Sequence, residues 1–64
     1  MDLKVQEQLK EDLELLYESR RNLYKGHERA SLAGHPNTAE TIWNGINRVN
    51  EAIFRLQEEL SDIS

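Results

Sequence analysis

Histidine, serine and carboxylates are the residues through which a chain of this kind does chemistry, and here they are sparsely placed. His27 and His35 are the two imidazoles. A carboxylate-bridged di-metal site needs a Glu three residues before each His on a helix. Tyr24 and Leu32 stand there instead. The His-Glu-x-x-His zinc pattern needs a second His four residues after His27, and Ser31 occupies that position. His27 and Ser31 share a helical face, but a serine nucleophile also needs an oriented base and an oxyanion site. No Gly-rich phosphate loop is present. With zero cysteines, thiolate metal sites and disulfides are both excluded. No catalytic residue, no metal site and no cofactor is therefore expected, and the chain reads as a non-enzyme.

Two other sets of residues are better placed for contact than for catalysis. Arg21, Lys25 and Arg29 are spaced four apart, which aligns them in one row along a helix. Such a row attracts an acidic partner or phosphates. It also suits a solvated helix end, where cations are favourable. The four aromatic residues, Tyr17, Tyr24, Trp43 and Phe54, are the second set. Interface energy concentrates in such side chains, so these seven residues are the expected partner-binding set.

The elements that must position them are helices. Ile42, Ile46, Val49, Ile53, Leu56, Leu60 and Ile63 follow one another at intervals of 4, 3, 4, 3, 4 and 3. That is a heptad seam, and a strand would need period 2 instead. Leu9, Leu13, Leu16, Leu23 and Ala30 keep the same spacing in the first half, with Arg20 and His27 at two seam positions. Polar residues at seam positions fix register in some coiled coils. The reading favoured for Arg20 is a stem laid on apolar surface with its head in water. His27 is expected where the seam reaches solvent.

Between the halves, Gly34 suits the left-handed residue just past a helix end, with Pro36 following it. Asn37 or Thr38 can cap the next helix, and Asn37-x-x-Glu40 resembles a capping box. The expectation is a helix over about 3–33, a turn at 34–37 and a helix over about 38–62. A shorter first helix ending at Lys25, capped by Gly26, is the competing possibility. The short connection makes the helices antiparallel neighbours. The fold class is thus all-α: one helical-hairpin domain spanning 1–64.

A lone hairpin leaves apolar material over. Tyr17 and Tyr24 widen one stripe, Trp43 widens the other, and Leu15 and Phe54 lie further round. Three apolar positions per heptad mark a helix in a bundle. Of the 64 residues, 38% are apolar and 31% charged, and mean hydropathy is −0.77. A core this small rarely supplies more than ~3–5 kcal/mol without a staple. Self-association into a homodimeric four-helix bundle, or cover by another protein, is the expected staple. Gly45, among Asn44, Asn47 and Asn50, marks either a close helix approach or a tolerated weak helix former.

Charge is divided unevenly. Residues 1–33 carry seven acids and six bases, and residues 34–64 carry five acids and two bases. In a hairpin this makes an acidic open end and a basic patch near the turn. The net charge of −4 argues against a general nucleic-acid binder. No apolar run is long enough to span a membrane. Met1-Asp2-Leu3-Lys4-Val5-Gln6 lacks the apolar core of a signal peptide. A cytoplasmic location is expected.

Length and pattern resemble the Rop-type plasmid RNA modulators, short helical hairpins that pair into four-helix bundles. That resemblance implies a homodimer and an RNA- or DNA-binding regulator. Gly34, Trp43 and Ala52-Ile53 resemble the Gly turn, early-helix Trp and Ala-Ile pair of the small hairpin co-chaperones that hold type III secretion needle subunits. That resemblance implies an assembly chaperone. Trp43-Asn44-Gly45 also matches the Trp-x-Gly tripeptide of small secreted hairpin proteins, but there it sits in the turn rather than one turn into a helix. The expected function is a small regulator, inhibitor or assembly chaperone acting through protein–protein contacts.

Overall fold

Two helices and the turn between them account for the described residues. The computed structural model describes residues 3–63; Met1, Asp2, Ser64 and the side chain of Ile63 lie outside it, and with them the last seam position. Helix α1 spans Leu3–Leu32 and helix α2 spans Pro36–Ile63. They pack antiparallel along their length. The body is 49 × 14 × 10 Å, and its long dimension is that of α1, about 45 Å at 1.5 Å per residue.

Backbone chemistry explains where α1 stops. Gly34 has φ +75°, a conformation that costs any residue with a Cβ. His35 N–H donates to Ala30 C=O at 2.9 Å, and Gly34 N–H donates to Ser31 C=O at 3.2 Å. This bond pair is the Schellman motif, which satisfies carbonyls the helix end would leave bare. Helix α1 runs unbroken through Lys25 and Gly26, so the shorter version of it does not form.

The start of α2 differs from expectation. The helix begins at Pro36, so Asn37 and Thr38 are already inside its first turn. The His35 carbonyl accepts the first helical bond, from Ala39 N–H at 3.0 Å. Proline lacks an N–H and holds φ near −65°, which suits the first helical position. Asn37 is thereby displaced from the cap, and its carbonyl accepts from Thr41 Oγ1 at 3.0 Å. The Asn37-x-x-Glu40 capping box is not formed.

The core is thin. Leu13, Ala30, Ala39, Ile46 and Ile53 are buried, and among the described residues Ile46 alone is fully enclosed, at 0% exposure. Leu9, Leu16, Leu23, Ile42, Val49, Leu56 and Leu60 line the same seam half-buried. The radius of gyration is 14.8 Å, against about 11 Å for a compact chain of this length. Exposed surface is 5008 Å², against about 4,250 Å² for a compact protein of this mass. The extra area is the geometric cost of two helices with nothing covering their flanks.

Candidate functional site

The register of the hairpin sets what the helices can build together. Gly26 lies against Ile42, and Leu23 lies against Gly45. In this register Tyr24, Arg20 and Tyr17 of α1 meet Trp43, Asn50 and Gln57 of α2, in a stripe that also holds Asn47 and Phe54. Those five residues are spaced 4, 3, 4 and 3, so they form a row beside the apolar seam.

Cross-helix contacts tie the flank together at three levels. Nearest the turn, Trp43 meets Tyr24 edge-on, with centroids 6.5 Å apart and planes at 70°. His27 tilts against the same indole at 5.4 Å. Such edge-to-face packing places the positive ring edge on a negative face. In the middle, Arg20 Nη1 donates to Asn50 Oδ1 at 2.8 Å. Toward the open end, Gln57 Nε2 donates to the Tyr17 hydroxyl at 2.9 Å. The Arg20 guanidinium sits 5.4 Å from the Tyr17 ring centroid, within cation–π range.

The seven expected contact residues therefore divide. Tyr17, Tyr24 and Trp43 are built into the flank, and Phe54 shares the row of Trp43. Tyr24 and Trp43 keep 46% of their surface exposed and Phe54 keeps 61%. Arg21 shares the edge of α1 that carries Tyr17 and Tyr24, whereas Lys25 and Arg29 lie off it. All three are exposed, and none forms an ion pair with another described residue. Like charges four residues apart repel by a few tenths of a kcal/mol, so this row is stored repulsion rather than a stabilising feature.

The favoured readings of Arg20 and His27 are corrected. Arg20 does not simply extend its head into water; its guanidinium is bonded to Asn50 on the other helix. His27 is half-buried against Trp43 rather than placed at a solvent gap. The reason is the inter-helix register, which brings an amide and an indole opposite these two seam positions. Asn50 and Gln57 were the flank residues missing from the expected set. Their signal was the 4/3 spacing they share with Trp43 and Phe54.

Gly45 is also settled by geometry. A Cβ there would stand 3.7 Å from Leu23 Cδ1, an ordinary contact. No close helix approach requires glycine at this position.

An open depression on the outer face of α1 is lined by Glu11, Glu14, Leu15 and Glu18. Among the described residues, no three His, Asp or Glu side chains are grouped to hold a metal ion. Among the described residues, no helix is long and apolar enough to cross a membrane. No protein-family model, curated protein or solved structure matches this chain. The two family resemblances thus rest on pattern alone.

Proposed function

We propose that this chain is a small non-enzymatic interaction protein, a regulator, inhibitor or assembly chaperone, whose working surface is the aromatic flank. The single observation that carries this reading is the exposure of Tyr24, Trp43 and Phe54 on one flank of a hairpin that buries five side chains among the described residues. Aromatic residues and arginine are enriched at the cores of protein interfaces, and lysine and glutamate are depleted. The middle of the flank has that composition, with three exposed aromatics, Tyr17, Arg20 and the amides of Asn47, Asn50 and Gln57, and the lysine and glutamates lie along its edges. A homodimeric four-helix bundle is the assembly this surface favours, with two hairpins sharing one core. Burial is worth ~25 cal/mol per Å², so covering the flank adds stability that the separate hairpin lacks.

Trp43 is the sole tryptophan, and its emission reports whether the flank is covered. The test replaces Trp43 or Phe54 with Ser and follows association by sedimentation, with helix content checked by circular dichroism. Loss of association with helicity retained supports the reading. Association that survives both substitutions overturns it. The competing class, an RNA- or DNA-binding regulator, draws on the exposed and unpaired row Arg21, Lys25 and Arg29. Binding that tracks this row, and falls steeply with salt, would replace the protein-contact reading.

A further inference from the structure

Each edge of the aromatic flank is complementary to itself when reversed. Along α1 the edge residues are Lys10, Glu14, Tyr17, Arg21, Tyr24 and Glu28, spaced 4, 3, 4, 3 and 4. A second α1 can be laid antiparallel along this edge with residue 19 opposite its own copy. Lys10 then faces Glu28 of the partner subunit, an ion pair. Glu14 faces the partner's Tyr24, a carboxylate opposite a hydroxyl donor. Tyr17 faces the partner's Arg21, a guanidinium over a ring. Sliding one heptad one way sets Lys10 against the partner's Arg21, a repulsion. Sliding the other way carries Lys10 past the end of α1 and shortens the overlap.

Helix α2 has the same property by a different chemistry. Its edge is Glu40, Trp43, Asn47, Asn50, Phe54 and Gln57. Reversed about a midpoint between Arg48 and Val49, Trp43 faces the partner's Phe54, Asn47 faces the partner's Asn50, and Glu40 faces the partner's Gln57. Indole meets phenyl, amide meets amide, and carboxylate meets an amide donor.

Nothing in either helix alone makes the two midpoints agree. The hairpin register does: the Arg20–Asn50, Gly26–Ile42 and Leu23–Gly45 contacts set residue 19 level with residues 49–51. The α2 midpoint falls within about two residues of that level, roughly 3 Å along the axis. One two-fold axis therefore serves both helices.

Resting on the interaction reading above, we propose that the occupant of the flank is a second copy of this chain. It docks antiparallel about a two-fold axis that crosses the flank beside the Arg20–Asn50 pair. Area and charge both fit. Two separate hairpins of 5008 Å² each expose about 10,000 Å², whereas a compact body of twice the mass exposes about 7,050 Å². The difference of about 3,000 Å² lies in the 2,000–5,000 Å² range of obligate homodimers. Among the described residues, Lys10, Glu14, Arg21 and Glu28 make no ion pair within their own chain, so all four are available across the axis.

Because the full chain has no cysteine, single-cysteine spin labels report the geometry directly. Glu18→Cys and Leu32→Cys lie at exposed positions of α1, and neither is a member of a proposed pair. In the antiparallel dimer the Glu18 labels are offset by about 3 Å along the axis and the Leu32 labels by about 39 Å. The Leu32 distance then exceeds the Glu18 distance by more than about 20 Å. Equal distances at the two sites indicate a parallel dimer and overturn the proposal.

A charge swap gives a second readout. Lys10 and Glu28 are about 27 Å apart on one helix, so they cannot meet within a chain. Lys10→Glu should raise the dimer dissociation constant about fivefold, and Lys10→Glu with Glu28→Lys should restore it. A double variant no better than the single one overturns the proposal. A folded monomer at millimolar concentration also overturns it, while leaving the flank available to a foreign protein. A dimer in which Trp43 emission stays that of exposed indole defeats the flank reading itself.

Discussion

Arg20 donates to Asn50 across the hairpin at 2.8 Å, although thirty residues separate them in the chain. Arg20 takes a seam position that its neighbours Leu16 and Leu23 fill with apolar side chains. The bond marks which residue of α2 stands opposite: a slide of one turn would set Phe54 there in one direction and Asn47, another amide, in the other. A polar seam residue that sets register at some cost in stability is the role seen in coiled coils.

This pair gives the first prediction. In a double-mutant cycle, Arg20→Ala and Asn50→Ala couple by about 1 kcal/mol. Urea unfolding at one fixed protein concentration measures it, since association shifts apparent stability. Coupling indistinguishable from zero would show that the contact does not set the register.

Gly34 supplies the second. Its φ of +75° meets no neighbouring atom, so space is not the obstacle to a side chain. The left-handed backbone is. Gly34→Ala lowers stability by about 1 kcal/mol, read as a drop in the urea midpoint. An unchanged midpoint would mean that the Schellman turn had been rebuilt.

Gly26 and Gly45 behave in the opposite way. A Cβ on Gly26 stands 3.5 Å from Ile42 Cδ1, and one on Gly45 stands 3.7 Å from Leu23 Cδ1. Both are ordinary contacts inside helices, where alanine is favoured over glycine by up to about 1 kcal/mol. Gly26→Ala and Gly45→Ala each raise stability by up to that amount, and thermal unfolding measures the gain. Destabilisation at either site would reveal a closer helix approach than the geometry allows.

How much of this was legible in the sequence follows from the range over which each signal acts. The seam from Ile42 to Leu60 and the Gly34 stop are local patterns, and they read correctly. Pro36 was legible as a helix breaker, yet at the first helical position it is a starter, so the cap moved from Asn37 back to His35. The bonds Arg20–Asn50 and Gln57–Tyr17, and the contact of His27 with Trp43, depend on the offset between two helices. No window of one helix contains that offset. The widening of the stripe by Tyr24 and Trp43 was visible, but their edge-on packing was not.

The basic row supplies the fourth prediction. Arg21, Lys25 and Arg29 run along exposed α1 with no carboxylate paired to them. Titration with duplex and single-stranded RNA near ~50 mM salt should show no binding, because nucleic-acid affinity at low salt requires several phosphate contacts. Binding with a steep salt slope, lost in Lys25→Glu and Arg29→Glu, would assign the row to nucleic acid.

The most direct measurement is the mass of the folded chain in solution, followed together with Trp43 emission as concentration rises. A second copy on the flank gives a particle of about 15 kDa, twice the 7.5 kDa of one chain, with Trp43 emission moved to shorter wavelength. A helical 7.5 kDa particle from micromolar to millimolar concentration, with Trp43 emission unmoved, would contradict the account.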